Sequence, residues 1–126
     1  MNKKNKVIVA ATQMSCSWEL DDNIEKAKKI VKSAAADGAN IILLQELFQS
    51  PYFCIDYDEK IFELAQTFEE SVLIKEMSQI CKKLNVVLPV SYFEKSNNAY
   101  FNSIAIIDGD GSVLGNYRKS HIPDGA

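Results

Sequence analysis

The sequence has a single histidine, His121, and three cysteines, Cys16, Cys54 and Cys81, which are widely separated along the chain. An odd number of distant cysteines does not indicate a disulfide framework, and no Cys/His spacing is typical of a metal site. Apolar runs are also short, since none approaches the roughly 20 residues that a membrane-spanning helix requires. We therefore expect a cytoplasmic protein with no metal, no cofactor and no membrane partner.

The sequence also lacks a block of charge of one sign. Its 14 basic and 17 acidic residues are scattered and give a net charge of -3. No basic patch is available to neutralise phosphates, so we do not expect a nucleic-acid partner. The basic N-terminal residues precede an apolar run, residues 7–11, that is too short for a signal peptide. With 47% hydrophobic and 25% charged residues, the 126-residue chain has the composition of one globular domain.

The first third of the chain predicts a strand–helix–strand unit. Residues 7–13 are rich in β-branched and apolar side chains, which favours a buried strand. Residues 22–37 carry apolar side chains at helical spacing, and Asp22 with Glu25 has the pattern of a capping box at the helix start. A second apolar strand follows at residues 41–44. Because such crossovers are right-handed, the two strands should be parallel neighbours.

The remainder predicts a loop, a second long helix and three strands. Pro51 and mixed aromatics indicate a loop that leads to a short helix near residues 58–65. Thr67 and Glu70 repeat the capping pattern before a helix that ends near Asn85. Strand-like runs at residues 86–94, 100–108 and 112–119 are separated by the turn sequences SNN and GDG. This pattern is typical of an antiparallel meander.

Both faces of the first meander strand are apolar. Val86, Leu88, Val90 and Tyr92 alternate with Val87, Pro89, Ser91 and Phe93. A sheet that is apolar on both faces needs two covering layers, whereas two long helices supply about one. The sequence also stops within a loop-like segment, IPDGA. We therefore expect residues 1–126 to be the N-terminal portion of a single larger domain, although a complete small domain with some exposed aliphatic side chains remains open.

Three segments carry a resemblance to a known family: VIVAATQMSCSW, IILLQELFQSPYFC and NVVLPVSYFEKSNNAYFNSIAIIDGDGSVLGNYRKSHIPDG. In this order and spacing they resemble the nitrilase superfamily of carbon–nitrogen hydrolases, and within it the N-carbamoylputrescine amidases, over nearly the whole chain. The resemblance implies an α/β fold, the four-layer αββα sandwich of this superfamily, here truncated to its N-terminal half. It also implies a homo-oligomer at full length and a Glu–Lys–Cys triad that cleaves C–N bonds without a metal.

The resemblance assigns the general base to Glu46 and the catalytic lysine to Lys119. A glutamate at the end of a buried strand, next to Leu44 and Phe48, should be partly desolvated, which would raise its pKa toward the range of a proton acceptor. Lys119 would place a positive charge where an oxyanion forms. Without the resemblance, a glutamate and a lysine at strand ends are usually solvated, and Asn102 is expected to bond the backbone of a neighbouring strand.

The family's nucleophile lies in a later segment resembling ICWDxxFPE, which this sequence does not contain. Cys81 falls on the apolar face of the second predicted helix, whereas Cys16 and Cys54 fall in loops. For each of them a small buried hydrophobe is the more common role. The isolated chain is therefore expected to be inactive.

The resemblance implies hydrolysis of a small N-carbamoyl amine, N-carbamoylputrescine, to putrescine, carbon dioxide and ammonia in polyamine biosynthesis. Tyr52 and Phe53 would line the mouth of the substrate pocket or only anchor their loop, and Asp56 or Asp124 would meet the cationic end of the substrate. Two alternatives stay open. The protein is another ureido or amide hydrolase, such as a β-ureidopropionase or an ω-amidase, or the chain is a non-catalytic fragment or interaction module.

Overall fold

The computed structural model describes residues 6–56 and 58–123. Its strands are β1 (Val9–Ala11), β2 (Ile41–Leu43), β3 (Leu88–Ser96), β4 (Ala99–Ile107) and β5 (Val113–Arg118). Its α-helices are α1 (Leu20–Ala36) and α2 (Val72–Leu84), and short 3-10 helices span Phe53–Ile55 and Glu59–Leu64. Within these described ranges, no helix has both the length and the apolar character to cross a membrane.

The strands form two hydrogen-bonded groups, β1–β2 and β3–β4–β5. β1 and β2 pair in parallel with Val9 opposite Ile41, and α1 is the crossover between them, which confirms the predicted unit. β3, β4 and β5 form the predicted antiparallel meander. A parallel bridge between Ile41 and Val87 joins the two groups, with the Ile42 N–H donating to the Val87 carbonyl at 3.0 Å. The bridge places β2 beside β3.

The start of α1 differs from the prediction. The helix begins at Leu20 and its N-cap, Glu19, makes no side-chain capping bond, so the capping box predicted at Asp22 and Glu25 is wrong. Glu25 lies inside the helix, where its carboxylate pairs with Lys28 at 2.7 Å. An i,i+3 ion pair of this kind has the same sequence spacing as a capping box, and the two are therefore difficult to distinguish from sequence.

The start of α2 lies one turn later than predicted. Thr67 does accept a hydrogen bond from the Glu70 N–H at 3.2 Å, but this bond closes a separate turn. The helix N-cap is Ser71, whose hydroxyl accepts from the Ile74 N–H at 3.2 Å. At the other end the prediction is confirmed, because Asn85 adopts a left-handed conformation with φ of 53° and terminates the helix.

The two helices cover one face of the sheet. Buried side chains from α1 and α2 pack against alternate residues of β2, β3 and β4; they include Ala27, Val31, Leu73, Met77, Ile42, Leu88, Val90 and Ile107. The opposite face has no helix layer from the described residues. On it Val9, Leu43 and Tyr117 are 71%, 47% and 61% exposed. This confirms the expectation that the sheet is apolar on both faces and covered on one.

Candidate active site

Glu46 lies in a tight turn that follows β2. The next residue, Leu47, has a φ of 53°, in the left-handed region that costs a non-glycine residue about 1–2 kcal/mol. The Leu47 N–H donates to the hydroxyl of Ser91 on β3 at 2.8 Å, and its side chain is only 3% exposed. These contacts hold the strained turn in place and thereby fix where the Glu46 side chain emerges from the sheet.

Lys119 directly follows β5 and meets Glu46 from the other side. Its backbone N–H donates to the Asn102 carbonyl on β4 at 2.8 Å, which extends the β4–β5 ladder by one step. Its Nζ lies 3.2 Å from Glu46 Oε1 across a sequence separation of 73 residues. The side chain of Lys119 is 40% exposed and that of Glu46 is 41% exposed. The structure thus brings together the two residues that the family resemblance selects.

Asn102 is a further member of this group that was not expected. Its side-chain Nδ2 donates to Glu46 Oε1 at 2.6 Å, so the expectation that its side chain bonds a strand backbone is wrong. The residue therefore contacts both partners, Glu46 through its amide and Lys119 through its carbonyl. The register of the β4–β5 hairpin, once known, would have placed it beside Lys119, but nothing local in YFNS indicates the bond to Glu46.

The electrostatics of Glu46 also differ from expectation. Burial is the largest single influence and raises its pKa, as expected. Hydrogen bonds from Asn102 and Lys119, together with the charge of Lys119, act in the opposite direction and outweigh it, so the pKa of Glu46 is lowered from its ordinary value. The expected upward shift is wrong because two donors share Oε1. Glu46 is consequently a carboxylate at neutral pH and ready to accept a proton.

Tyr52 and Phe53 take different positions beyond the turn. Tyr52 is 44% exposed, and its hydroxyl lies near Glu46, where it contributes to lowering the pKa of that carboxyl. Phe53 is 9% exposed and lines a neighbouring apolar cleft, with its ring centroid 5.0 Å from that of Phe93. Asp56 lines the same cleft, whereas Asp124 lies outside the described residues.

The three cysteines occupy three different environments. Cys81 is fully buried as expected, and burial raises the pKa of its thiol to about 12. Cys16 is partly buried and donates to the Phe48 carbonyl at 3.2 Å. Cys54 is exposed rather than buried. Partial desolvation of its thiol is the main cause that raises its pKa, and the charges of Glu46 and Lys119 act on that pKa in opposite directions. Across the described ranges, no three acidic, cysteine or histidine side chains are grouped so as to hold a metal ion.

An ion pair between a buried glutamate and a partly exposed arginine lies behind Lys119, on the helix-covered side of the sheet. Glu94 on β3 is 3% exposed and accepts both the Nε and Nη2 groups of Arg118, at 3.0 and 2.7 Å. The Ser103 hydroxyl donates to the same carboxylate at 2.6 Å, and the Arg118 guanidinium lies 4.0 Å from the Phe101 ring centroid. These contacts anchor the end of β5 immediately before Lys119. Sequence reasoning missed the pair.

The fold that carries this carboxylate–ammonium pair, a parallel β1–β2 pair and an antiparallel meander with helices on one face, is shared with other proteins. Residues 8–126 match the family model of the carbon–nitrogen hydrolases, and the chain belongs to this family. The crystal structure of a carbon–nitrogen hydrolase from Helicobacter pylori superposes with a TM-score of 0.85 at 34% identity, covering 94% of this chain and 41% of that one. The predicted fold class, a truncated nitrilase-type αββα sandwich, is confirmed, and the described residues supply one sheet with its helix layer.

Two relatives of known name are more similar in sequence. An N-carbamoylputrescine amidase from Arabidopsis thaliana is 48% identical over 123 residues, which cover 98% of this chain and 41% of the relative. A citrullinase from Francisella tularensis is 46% identical over 117 residues, which cover 93% of this chain and 41% of the relative. The chain therefore spans about two fifths of the length of the proteins that it matches.

Proposed function

We propose that this chain supplies the general base and the catalytic lysine of an amidohydrolase that converts N-carbamoylputrescine to putrescine, carbon dioxide and ammonia. The observation that carries the proposal is the 3.2 Å contact between Lys119 Nζ and Glu46 Oε1 beside an open cleft. Similarity to amidases of that name, at 46–48% identity, supports the substrate. The third group of the triad, a cysteine thiol, is not assigned to any residue of this chain.

In this mechanism Glu46 acts as a proton carrier. Its carboxylate takes the proton of the thiol, and the resulting thiolate forms a bond to the ureido carbonyl carbon. Glu46 then returns the proton to the terminal nitrogen as its C–N bond breaks, which releases ammonia. Water hydrolyses the remaining carbamoyl thioester to a carbamate, which loses carbon dioxide and leaves putrescine. The lowered pKa of Glu46 keeps the base ionised before the first step, although it also makes the carboxylate a weaker proton acceptor until its hydrogen bonds rearrange around the substrate.

Lys119 acts on the charge that develops during the attack. Its ammonium is held beside Glu46, where the carbonyl oxygen of a bound ureido group would become negative. Removing one preorganised oxyanion donor typically lowers kcat by about 10²- to 10³-fold. Lys119 would also favour the thiolate over the thiol.

The wider setting is part of the same proposal. Residues 1–126 form the N-terminal portion of one carbon–nitrogen hydrolase domain, which agrees with the exposed apolar face at Val9, Leu43 and Tyr117. The protein works in the cytoplasm, in polyamine synthesis, as a homo-oligomer. Free Cys16, Cys54 and Cys81 fit a reducing compartment.

The test uses the protein expressed from its complete reading frame, with ammonia release as the readout. N-carbamoylputrescine should be turned over, and both Glu46→Gln and Lys119→Met should reduce kcat by about 10²-fold or more. Glu63→Gln is the matched control, because Glu63 is an exposed acidic residue of the 3-10 helix Glu59–Leu64 and does not line the cleft of Glu46 and Lys119. Full activity of Glu46→Gln, or no turnover of any ureido substrate by the wild-type protein, would overturn the proposal and favour a non-catalytic role.

A second candidate substrate is citrulline. The observation in its favour is the similarity to the Francisella citrullinase. Both substrates present the same ureido group, so the Glu46–Lys119 pair does not distinguish between them. They differ in the tail, which is an alkylammonium in one and an α-amino acid in the other. Ratios of kcat/KM for N-carbamoylputrescine, L-citrulline and N-carbamoyl-β-alanine decide among them, the last also testing the β-ureidopropionase alternative.

A further inference from the structure

An aromatic cleft of about 250 Å³ opens beside the Glu46–Lys119 pair. Its walls include Phe53, Phe62, Phe93, Tyr100 and Phe101. The rings contact one another, with centroid distances of 4.6 Å between Phe62 and Tyr100 and 5.0 Å between Phe53 and Phe93. The cleft is smaller than the roughly 300–1,000 Å³ of sites for drug-sized ligands, so its size suits a short chain.

The aromatic cleft adjoins the open cleft that Glu46 and Lys119 line, and Asn102 belongs to both. Asn102 also donates to Glu46 Oε1 at 2.6 Å. Leu47, the residue next to Glu46, also lines the aromatic cleft. Cys54 lines it too, and the charges of Glu46 and Lys119 both influence the pKa of the Cys54 thiol. A ureido group placed against Glu46 could therefore extend its substituent past Asn102 toward the aromatic walls.

The charged side chains that line the cleft are acidic. Asp56 and Asp58 belong to its lining, which contains no lysine, arginine or histidine among the described residues. One oxygen of Asp58 accepts the Lys60 N–H at 2.9 Å, whereas Asp56 is exposed. Three basic groups approach the lining from outside it. The Arg118 guanidinium lies 4.0 Å from the Phe101 ring centroid, the Lys95 ammonium lies 6.0 Å from the Tyr100 ring centroid, at the outer limit of a cation–π contact, and the charge of Lys119 acts on Cys54. Aromatic faces and carboxylates both attract cations, and both disfavour a carboxylate ligand.

We propose that this cleft is the subsite for the substrate tail and that it takes an aliphatic chain ending in a primary ammonium. The inference rests on the proposed ureido hydrolysis and deepens it, because it names the part of the molecule that selects among ureido compounds. The methylene groups pack on Phe62, Phe93 and Tyr100, and the ammonium lies at the rim beside Asp56. An anionic tail, as in N-carbamoyl-β-alanine, meets Asp56 and is rejected.

The test measures binding apart from turnover, with n-butylammonium as the probe and butyrate as its anionic counterpart. We expect n-butylammonium to bind the protein from its complete reading frame and to compete with N-carbamoylputrescine, and butyrate to do neither. Asp56→Asn should weaken n-butylammonium binding and raise KM by about two- to five-fold, the size typical of an exposed charge, with kcat retained. Tyr100→Leu should weaken binding as well, whereas Glu63→Gln should leave it unchanged.

Two outcomes would overturn the subsite. One is equal binding of n-butylammonium and butyrate, and the other is an unchanged KM in both Asp56→Asn and Tyr100→Leu while the protein still hydrolyses N-carbamoylputrescine. In either case the hydrolase proposal stands and only the location of the tail is wrong. Failure of hydrolysis with retained, Asp56-dependent binding of n-butylammonium would instead count against the hydrolase proposal and support the cation subsite.

Discussion

Asn102 donates its side-chain amide to Glu46 Oε1 at 2.6 Å, from a strand that lies 56 residues further along the chain. Lys119 Nζ approaches the same oxygen at 3.2 Å, so Oε1 carries two donors. This arrangement orients the carboxylate and keeps it ionised. Asn102 is thus a positioning residue, acting through Glu46, and its effect should be visible in the pH dependence of the reaction.

Asn102→Leu keeps the approximate shape of the side chain and removes the donor. Because the bond from Asn102 lowers the pKa of Glu46, its loss should raise that pKa. The acidic limb of the plot of kcat/KM against pH should therefore move to higher pH. At pH values above this limb, the variant should lose less activity than on the limb itself. Asn98→Ala, in the exposed β3–β4 turn, is the control. A profile with an unmoved acidic limb and uniformly reduced activity would mean that Asn102 is only structural.

The turn that presents Glu46 depends on Ser91. Ser91→Ala would leave the Leu47 N–H without its buried partner, which typically costs about 1–3 kcal/mol of unfolding free energy. The strained φ at Leu47 would then be less well held, so kcat should fall together with stability. Denaturant unfolding and steady-state kinetics measure the two effects. Ser96→Ala, at the end of the same strand, should change neither, and comparable losses in both variants would refute the role given to Ser91.

The parts of the fold that were predictable depend on local patterns. Alternation in β3 and β4 and the helical spacing in α2 are properties of short segments, and each was recovered to within a few residues. The start of α1 was not, because Asp22 and Glu25 match a capping box equally well inside a helix. Local spacing does not reveal which of two compatible hydrogen bonds will form.

The candidate site was predictable only in part, for a related reason. The family resemblance selected Glu46 and Lys119, and the structure places them in contact. The direction of the Glu46 pKa shift was not accessible, because it depends on Asn102, whose proximity follows from the β4–β5 register and the β2–β3 bridge. The ion pair of Glu94 with Arg118 was not predictable from the sequence for the same reason. Glu94 lies two residues after Tyr92 and therefore on the same, helix-covered face, but only the strand register supplies Arg118 as its partner.

Glu94→Gln tests the ion pair that anchors β5. The variant should lower the unfolding free energy at pH 7 by about 1.5–3 kcal/mol, the range for hydrogen bonds to charged groups, since Arg118 is 43% exposed and can be rehydrated. The Arg118 bond lowers the pKa of Glu94 in the folded protein. Its stabilising effect is therefore complete above the ordinary glutamate pKa, about 4.3, and is lost as the pH falls through the lower folded value.

Denaturant melts of the wild type and Glu94→Gln at several pH values give the comparison, with Glu63→Gln as the exposed control. The difference in unfolding free energy should be constant between about pH 6 and 8, where ordinary carboxyl groups are ionised. It should become smaller in acid. A difference that persists unchanged at the lowest pH would show that the loss comes from packing and not from charge.

The cysteines should react in a fixed order with iodoacetamide at a mildly alkaline pH. Alkylation requires a thiolate that is accessible, and Cys54 is the exposed one of the three. Cys16 should follow more slowly, because burial raises its pKa and its thiol is bonded to the Phe48 carbonyl. Cys81 is fully buried with a pKa raised to about 12, so it should be labelled only after unfolding. Peptide mass spectrometry over time gives the order, and rapid labelling of Cys81 in the native protein would contradict the packing of α2 against the sheet.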